Sequence, residues 1–170
     1  MIMGTSYPFY KQDVKKWVCN SFNRNIKILD VGCGCGTYYN LLHDEFPNID
    51  GVEVFKPNIT AHGLLDKYKN LFNCNITDFR YDRYDLIIFG DIIEHLDVKE
   101  AQTVLDYAYC RCTDMIVALP YMYEQDEIYG NVYEIHKQPD LTKENVLERY
   151  PYLELLIGDD LYGYYIKKRN

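Results

Sequence analysis

The chain of 170 residues is predicted to fold as an α/β protein, with a doubly wound, mostly parallel sheet between two layers of helices. The mostly apolar run from Ile28 to Val31 leads directly into glycines at alternate positions and then into a segment that can start a helix. Further strand-like and helical segments alternate along the chain. The last two strands are separated only by Gly158 to Asp160, too short for a crossover helix, so they must pair antiparallel. The prediction is a three-layer, seven-stranded sheet with a C-terminal antiparallel hairpin.

The strands are predicted from short apolar or β-branched runs bounded by turn residues. Tyr84–Gly90 is the clearest, because its apolar run is unbroken by alternation, as in a strand buried on both faces of a parallel sheet. The other predicted strands are Lys27–Val31, Ile49–Val54, Asn70–Cys74, Met115–Leu119, Tyr152–Ile157 and Leu161–Lys167.

The helices are predicted from apolar spacing and from capping residues. Val14, Trp17 and Val18 share one face of a helix, and Asp97 followed by Glu100 is typical of a capping box. The predicted helices are Lys11–Phe22, Thr37 to near Pro47, Pro57 to about Tyr68, Val98 to about Cys110, and a short helix capped by Thr142 that ends at Arg149.

Length and composition favour one globular domain, residues 1–170, with an N-terminal helical segment (1–25) and a candidate substrate lid (121–141). The 26 acidic and 18 basic residues give a net charge of −8, which argues against a nucleic-acid partner. No apolar run has the length of a signal peptide or of a membrane span, so we expect a cytoplasmic protein without a membrane partner. The six cysteines are then expected to be reduced thiols.

The glycine-rich loop after the first strand is the strongest functional signal. Gly32, Gly34 and Gly36 allow sharp turns and close approach of a ligand to the backbone, with Cys33 between the first two and Asp30 at the strand end. The loop lacks the G-x-G-x-x-G spacing of a dinucleotide site and the Lys-Ser/Thr of a P-loop, which argues against a nicotinamide-dependent oxidoreductase.

The motif D-x-G-x-G-x-G resembles the first motif of class I S-adenosylmethionine-dependent methyltransferases. The order of strands and helices resembles their Rossmann-like, seven-stranded sheet from Ile26 to Lys168. Asp91-x-x-Glu94-His95 resembles a segment of small-molecule methyltransferases such as those of quinone biosynthesis, and it is unlike the N-P-P-Y or D-P-P-Y of amino-group and base methyltransferases. The resemblance implies S-adenosylmethionine as the cofactor.

Strand ends downstream of the loop supply further candidate cofactor residues. Glu53, with Val54 after it, lies roughly 20 residues beyond the loop, where an acid can accept both ribose hydroxyls. The resemblance places Asn75 opposite the adenine amine, where the family usually has Asp, and Ile76 against the ring. It also places the main chain at Gly90 and Asp91 beside the methionine part.

Three residues are candidates for catalysis: Glu94, His95 and His136. Asp91, Glu94 and His95 would share one helical face if Asp91 opened a turn, although Asp91 and Glu94 also fit a capping box. His95 has a side chain whose ordinary pKa suits a general base near neutrality. His136 precedes a Thr-capped helix, as in related methyltransferases where such a histidine approaches the substrate. Either histidine can instead have a structural or surface role.

The predicted function is methyl transfer to an oxygen or nitrogen of a small-molecule or glycan-like acceptor, in a site that a partner subunit or neighbouring domain can complete. Two alternatives remain. One is a non-catalytic binding module that keeps the cofactor fold. The other is a metal-dependent enzyme similar to small-RNA 2′-O-methyltransferases, whose E-x-x-E-H segment and later His bind a divalent ion. The site is predicted without a metal, although Asp91, Glu94, His95 and His136 leave that alternative chemically open.

Overall fold

The computed structural model describes residues 8–168, whose strands form one sheet. The strands are β1 Ile28–Val31, β2 Ile49–Val52, β3 Leu71–Phe72, β4 Tyr84–Gly90, β5 Cys112–Pro120, β6 Leu153–Gly158 and β7 Tyr162–Lys167. Within the described range the sheet has seven strands in the order β3-β2-β1-β4-β5-β7-β6. Strands β1 to β5 are parallel, and β7 lies antiparallel between β5 and β6. The predicted parallel sheet with a C-terminal hairpin is confirmed.

Helices cover both faces of this sheet. They are α1 Lys11–Ser21, α2 Thr37–Leu42, α3 Lys56–Ala61, α4 Val98–Tyr109 and α5 Lys143–Arg149. Ile28 packs in a core shared with α1, α2 and α3, whereas Leu29 packs in a second core shared with α4 and α5. Successive side chains of a strand point to opposite faces, so β1 contributes to both cores and the predicted three layers are confirmed.

The predicted helix caps are confirmed, and two helix lengths are corrected. Asp97 and Glu100 form the capping box of α4, and Thr142 caps α5. The second helix ends at Leu42 and not near Pro47. The predicted helix from Pro57 to Tyr68 is also wrong in extent, because Gly63 adopts a left-handed backbone with φ +59° and separates α3 from a short 3₁₀ turn.

The N-terminal helix packs as its apolar spacing predicts. Val14 and Val18 are fully buried in the core with α2, and Trp17 packs against the same cluster. Residues 1–7 of the predicted N-terminal segment lie outside the described residues. Within the described range, none of the helices combines the length and the apolar character needed to cross a bilayer.

Candidate functional site

A cavity of about 1210 Å³ opens beside the carboxyl ends of β1, β2, β4 and β5. Parallel strands bring these ends to one edge of the sheet, where ligands of doubly wound folds bind. The cavity is lined by most of the predicted site residues: Gly32, Cys33, Gly34, Glu53, Val54, Asn75, Ile76, Gly90, Asp91, Glu94, His95 and His136. Two predicted cofactor residues, Asp30 and Gly36, are not part of this lining.

The glycine loop packs too closely for side chains at its first position. Gly32 has φ +65°, and a Cβ atom there would lie 1.9 Å from Cδ1 of Ile92. The N–H of Gly34 donates a hydrogen bond to Oε2 of Glu53 at 2.7 Å. The loop therefore presents bare backbone to the cavity and is held against the end of β2.

Asp30 is buried near the carboxyl end of β1. It is 1% exposed and accepts a hydrogen bond from the hydroxyl of Tyr68 at 2.5 Å. Burial raises the pKa of Asp30 to about 7, although the Tyr68 hydrogen bond and the charge of Lys11 act in the opposite direction. Gly36, with φ +82°, is the N-cap residue directly before α2. Neither residue is part of the cavity lining.

Glu53 connects the glycine loop to the segment after β2. Its Oε1 accepts a hydrogen bond from the N–H of Phe55 at 2.8 Å, in addition to the bond from Gly34. The side chain is only 4% exposed, and burial raises its pKa while these backbone hydrogen bonds oppose the shift. Each carboxylate oxygen can accept a further hydrogen bond, so the group retains capacity for a diol.

The loop after β3 presents a polar and an apolar side chain next to each other. Oδ1 of Asn75 accepts a hydrogen bond from the N–H of Thr77 at 3.1 Å, which fixes the amide in a tight turn. The carbonyl of Asn75 accepts a second bond from the N–H of Asp78 at 3.0 Å. Ile76 follows with 9% exposure, and both side chains line the cavity. A flat heterocycle could pack on Ile76 and bond to the Asn75 amide.

The end of β4 is shaped by close packing and by a left-handed residue. The ring of Tyr38 lies so near Gly90 that an added Cβ would be 2.0 Å from it. Asp91 has φ +57° and accepts a short hydrogen bond from the hydroxyl of Tyr162. The 3₁₀ turn spans Ile93–His95, so Asp91 stands outside it. Asp91 therefore does not open a helical turn, the condition under which it would share one helical face with Glu94 and His95, because its positive φ breaks the helical geometry.

A cluster in the cavity consists of Glu94, His95 and His136. One carboxylate oxygen and one ring nitrogen from each histidine, atoms that are able to bind a metal, all lie within 4.8 Å of one another. The two imidazole rings contact edge to face, with centroids 4.7 Å apart. Burial and the neighbouring His136 lower the pKa of His95 to about 4, below the near-neutral value predicted from the sequence. Burial also raises the pKa of Glu94 well above its usual range.

A buried glutamine holds this cluster in place. Nε2 of Gln138 donates hydrogen bonds to the carbonyls of Ile93 at 2.9 Å and Leu96 at 3.0 Å, and its Oε1 accepts from Arg149 and Tyr150. The N–H groups of residues 137 and 138 both donate to the carbonyl of Glu94. The turn after β4 and the segment that carries His136 are thus fixed relative to each other.

The tyrosines of segment 121–141 divide into different roles. Tyr121 lines the cavity but is buried and forms a short hydrogen bond with Tyr165. Tyr123 and Tyr133 are about half exposed and line the cavity, whereas Tyr129 is exposed and is not part of the lining. Tyr123 and Tyr133 are therefore the aromatic side chains best placed to contact a bound acceptor.

Sequence reasoning missed residues that reach the site through long-range contacts. Tyr38 and Tyr162 line the cavity, and Tyr162 comes from β7, 71 positions after its partner Asp91. Gln138 is 2% exposed, although glutamine is usually a surface residue. No local motif marks these three, because their roles depend on the assembled sheet.

Comparison with models of protein families shows to which family the chain belongs. The family model described as "Methyltransferase domain" matches residues 9–106, which is more than half of the 170 residues. The chain belongs to this methyltransferase family. The match covers the glycine loop, Glu53, Asn75 and the turn that carries His95. No curated protein matches the sequence.

Solved structures show the same fold at low sequence identity. An S-adenosylmethionine-dependent methyltransferase from Clostridium acetobutylicum is 14% identical, with a TM-score of 0.71 over 98% of this chain and 93% of its own. Magnesium protoporphyrin IX methyltransferase from Synechocystis with bound S-adenosylmethionine is 12% identical, with a TM-score of 0.68 over 94% of this chain and 78% of its own. A sugar N-methyltransferase from Streptoalloteichus is 14% identical, with a TM-score of 0.69 over 96% and 87%. These likenesses establish a class I methyltransferase fold.

Proposed function

We propose that this methyltransferase binds S-adenosylmethionine and transfers its methyl group to an oxygen or nitrogen of a small-molecule or glycan-like acceptor. The observation that carries the proposal is the cavity, which joins the glycine loop, Glu53 and Asn75 at one side to His95 and His136 at the other. The proposed nucleoside contacts and the two proton-accepting imidazoles thus lie in one cavity. The acceptors named for the structural neighbours, a porphyrin and a sugar among them, support a small molecule.

The proposed cofactor fits the polarity of the residues present. Glu53 would accept hydrogen bonds from the ribose hydroxyls, Asn75 would face the adenine amine, and Ile76 would pack on the ring. The backbone at Gly32 and Gly34 would lie along the methionine part. The loop offers no cation for a phosphate, which agrees with a cofactor that has none.

Methyl transfer requires little of the protein beyond alignment of the acceptor atom with the methyl group. S-adenosylmethionine, when bound, supplies a methyl group on a sulfonium that is already a good leaving group. His95 and His136, whose pKa values burial lowers, are neutral near pH 7 and can each accept a proton from an acceptor hydroxyl. Tyr123 and Tyr133 would hold the acceptor and exclude water, which fixes the nucleophile in line with the methyl group.

The remaining parts of the proposal concern the environment of the site. We propose that residues 121–141 act as the substrate lid of a single domain, since Tyr123, Gln125, Ile128 and Tyr133 from this segment line the cavity. A partner subunit can complete the lid, because Met122 and Val132 at its edge are more than half exposed.

A cytoplasmic location remains our proposal, supported by six free cysteines.

Calorimetric titration with S-adenosylmethionine and with NAD tests the proposal against its rivals. We expect one binding event with S-adenosylmethionine and none with NAD. Binding of NAD alone would contradict the proposal and favour an oxidoreductase. The absence of heat with either ligand would favour a non-catalytic module that keeps the fold as a scaffold.

A further inference from the structure

We propose that the acceptor is a basic aliphatic amine, which enters the cavity as an ammonium ion, pairs with Glu94 and is methylated on its nitrogen. Pairing with Glu94 depends only on the charges and contacts of the cavity. Methylation of the nitrogen rests, in addition, on the proposed function, which leaves oxygen and nitrogen open.

The first observation is a buried carboxyl group without partners. Glu94 lines the cavity and is 1% exposed, and neither of its oxygens accepts a hydrogen bond from another described residue. Buried carboxyl oxygens are normally hydrogen-bonded or paired with a cation. The charges that act on Glu94 are those of Asp91 and Glu134, both negative, and together with burial they raise its pKa. A cation from the cavity would supply the missing partner and favour the carboxylate form.

The second observation is the charge of the cavity lining. Five acidic residues line the cavity: Glu53, Asp91, Glu94, Glu100 and Glu134. Among the described lining residues, Lys137 is the single lysine or arginine, and its Nζ already lies 3.0 Å from Oε2 of Glu100. The lining therefore favours a cationic acceptor over one that carries a carboxylate or a phosphate.

The third observation is that a neighbour of Glu94 also offers a hydrogen-bond acceptor. A carboxylate oxygen of Glu94 lies within 4.8 Å of a ring nitrogen of His136. Nδ1 of His136 lies 2.8 Å from the carbonyl oxygen of Tyr123. A carbonyl can only accept, so Nδ1 carries the proton and Nε2 keeps a lone pair. An ammonium group donates three hydrogen bonds and a hydroxyl only one, so the two carboxyl oxygens and this nitrogen match an ammonium better.

An aromatic ring lies beside the same groups. Tyr123 lines the cavity, and its ring contacts that of His136 edge to face, with centroids 5.4 Å apart. The face of a tyrosine ring attracts a cation within about 6 Å of its centroid. Tyr123 thus favours the same charge as Glu94, both before and after the nitrogen gains a methyl group.

In the reaction, His136 frees the nucleophile and Glu94 faces its charge. Nε2 of His136, neutral because burial lowers the pKa of this histidine, accepts one proton from the ammonium and leaves an amine with a lone pair. The nitrogen forms a bond to the methyl carbon while the carbon–sulfur bond breaks, and the sulfur keeps the electron pair. The product is an N-methylammonium ion, whose charge again pairs with Glu94. His136 keeps the role of proton acceptor that it has in the proposed function.

Binding of matched amine and alcohol probes to the full chain tests the pairing. Benzylamine is compared with benzyl alcohol, and glucosamine with glucose, by calorimetric titration at saturating S-adenosylhomocysteine. We expect each amine to bind at least about 10-fold more tightly than its alcohol, the effect of one hydrogen bond to a charged group. Equal affinities within both pairs would overturn the proposal, a result that needs no variant.

The variant Glu94→Gln assigns the preference to this residue. It should abolish the preference for amines, whereas Glu148→Gln, the same change of charge at an exposed position outside the cavity lining, should keep it. A Glu94→Gln protein that is folded in thermal unfolding and keeps the full preference would overturn the proposal. The Kd for S-adenosylmethionine should stay unchanged in this variant. A loss of S-adenosylmethionine affinity as large as the loss of amine affinity would assign Glu94 to the cofactor instead.

Reaction products distinguish nitrogen from oxygen. Glucosamine carries an amine and several hydroxyl groups, and incubation with S-adenosylmethionine should give the N-methylated sugar, identified by fragmentation in mass spectrometry. An O-methylated product would overturn the assignment of nitrogen. Titration of the amine probes without S-adenosylhomocysteine separates the two claims: a preference for amines without binding of S-adenosylmethionine refutes the proposed function, whereas binding of S-adenosylmethionine without a preference for amines refutes the pairing with Glu94.

Discussion

Replacement of Glu53 by glutamine tests the proposed ribose contact. Oε1 and Oε2 of Glu53 accept hydrogen bonds from the N–H groups of Phe55 and Gly34 at 2.8 and 2.7 Å. Glutamine keeps the size of the side chain but has one oxygen and one NH₂ group. One of the two backbone donors would then face another donor, and one ribose hydroxyl would lose its acceptor.

The size of the effect follows from these contacts. A hydrogen bond to a charged group contributes about 1.5–3 kcal/mol. Glu53 is 4% exposed, so solvent does not screen this contribution. At about 1.4 kcal/mol for each factor of ten, loss of one such bond to the ribose raises the Kd for S-adenosylmethionine about 10- to 150-fold. Loss of one bond to the backbone lowers the free energy of unfolding by a similar amount.

Calorimetric titration of the variant with S-adenosylmethionine measures the first effect, and urea unfolding measures the second. Glu148→Gln is the matched control, because it makes the same change of charge at an exposed position outside both the cavity lining and the proposed lid. We expect the control to behave as the wild type in both assays. An affinity for S-adenosylmethionine that is the same in Glu53→Gln, the control and the wild type would refute the ribose assignment.

Three further changes test the packing around the site. Burial raises the pKa of Asp30 from 3.8 to about 7, so the stability that comes from its protonated form is full below pH 3.8 and is lost as the pH rises through about 7. In Asp30→Asn, the free energy of unfolding measured in urea should therefore depend less on pH over this range. A pH dependence equal to that of the wild type would contradict the burial argument. Gly32→Ala should lower the melting temperature more than Gly63→Ala does. Both glycines have a positive φ, but only at Gly32 would an added Cβ lie 1.9 Å from Cδ1 of Ile92. Equal decreases in melting temperature would refute the clash. Gln138→Ala removes four hydrogen bonds and should cost about 4 kcal/mol of unfolding free energy at about 1 kcal/mol each, whereas a loss well under 1 kcal/mol would show that the network is replaceable.

The sheet was predictable because its strands carry local signals. Tyr84–Gly90 has the bounds that the sequence predicts, since an unbroken apolar run is typical of a strand buried on both faces. The capping box at Asp97 likewise marks the start of α4. Helix ends were less predictable. The break at Gly63 depends on a left-handed backbone that nothing in the apolar pattern marks, and α2 ends before Phe46 although that residue still packs in the core.

The site was predictable where it lies at strand ends and unpredictable where distant segments meet. Glu53 and Asn75 line the cavity as expected, because ligands of a parallel sheet bind at the carboxyl ends of its strands and the family resemblance marks the loop that carries Asn75. The partner of Asp30, Tyr68, lies 38 positions away, and Gln138 contacts a turn more than 40 positions before it. The pKa of His95 also depends on burial beside His136, which the sequence does not reveal.

A crystal structure of the chain with S-adenosylhomocysteine tests the central claim most directly. We expect the adenine beside Asn75 and Ile76, the ribose hydroxyls on Glu53, and the sulfur facing His95 and His136 across the cavity. A product bound elsewhere, or a cavity that stays free of it at saturating concentration, would contradict the assignment of this cavity as a methyl-transfer site.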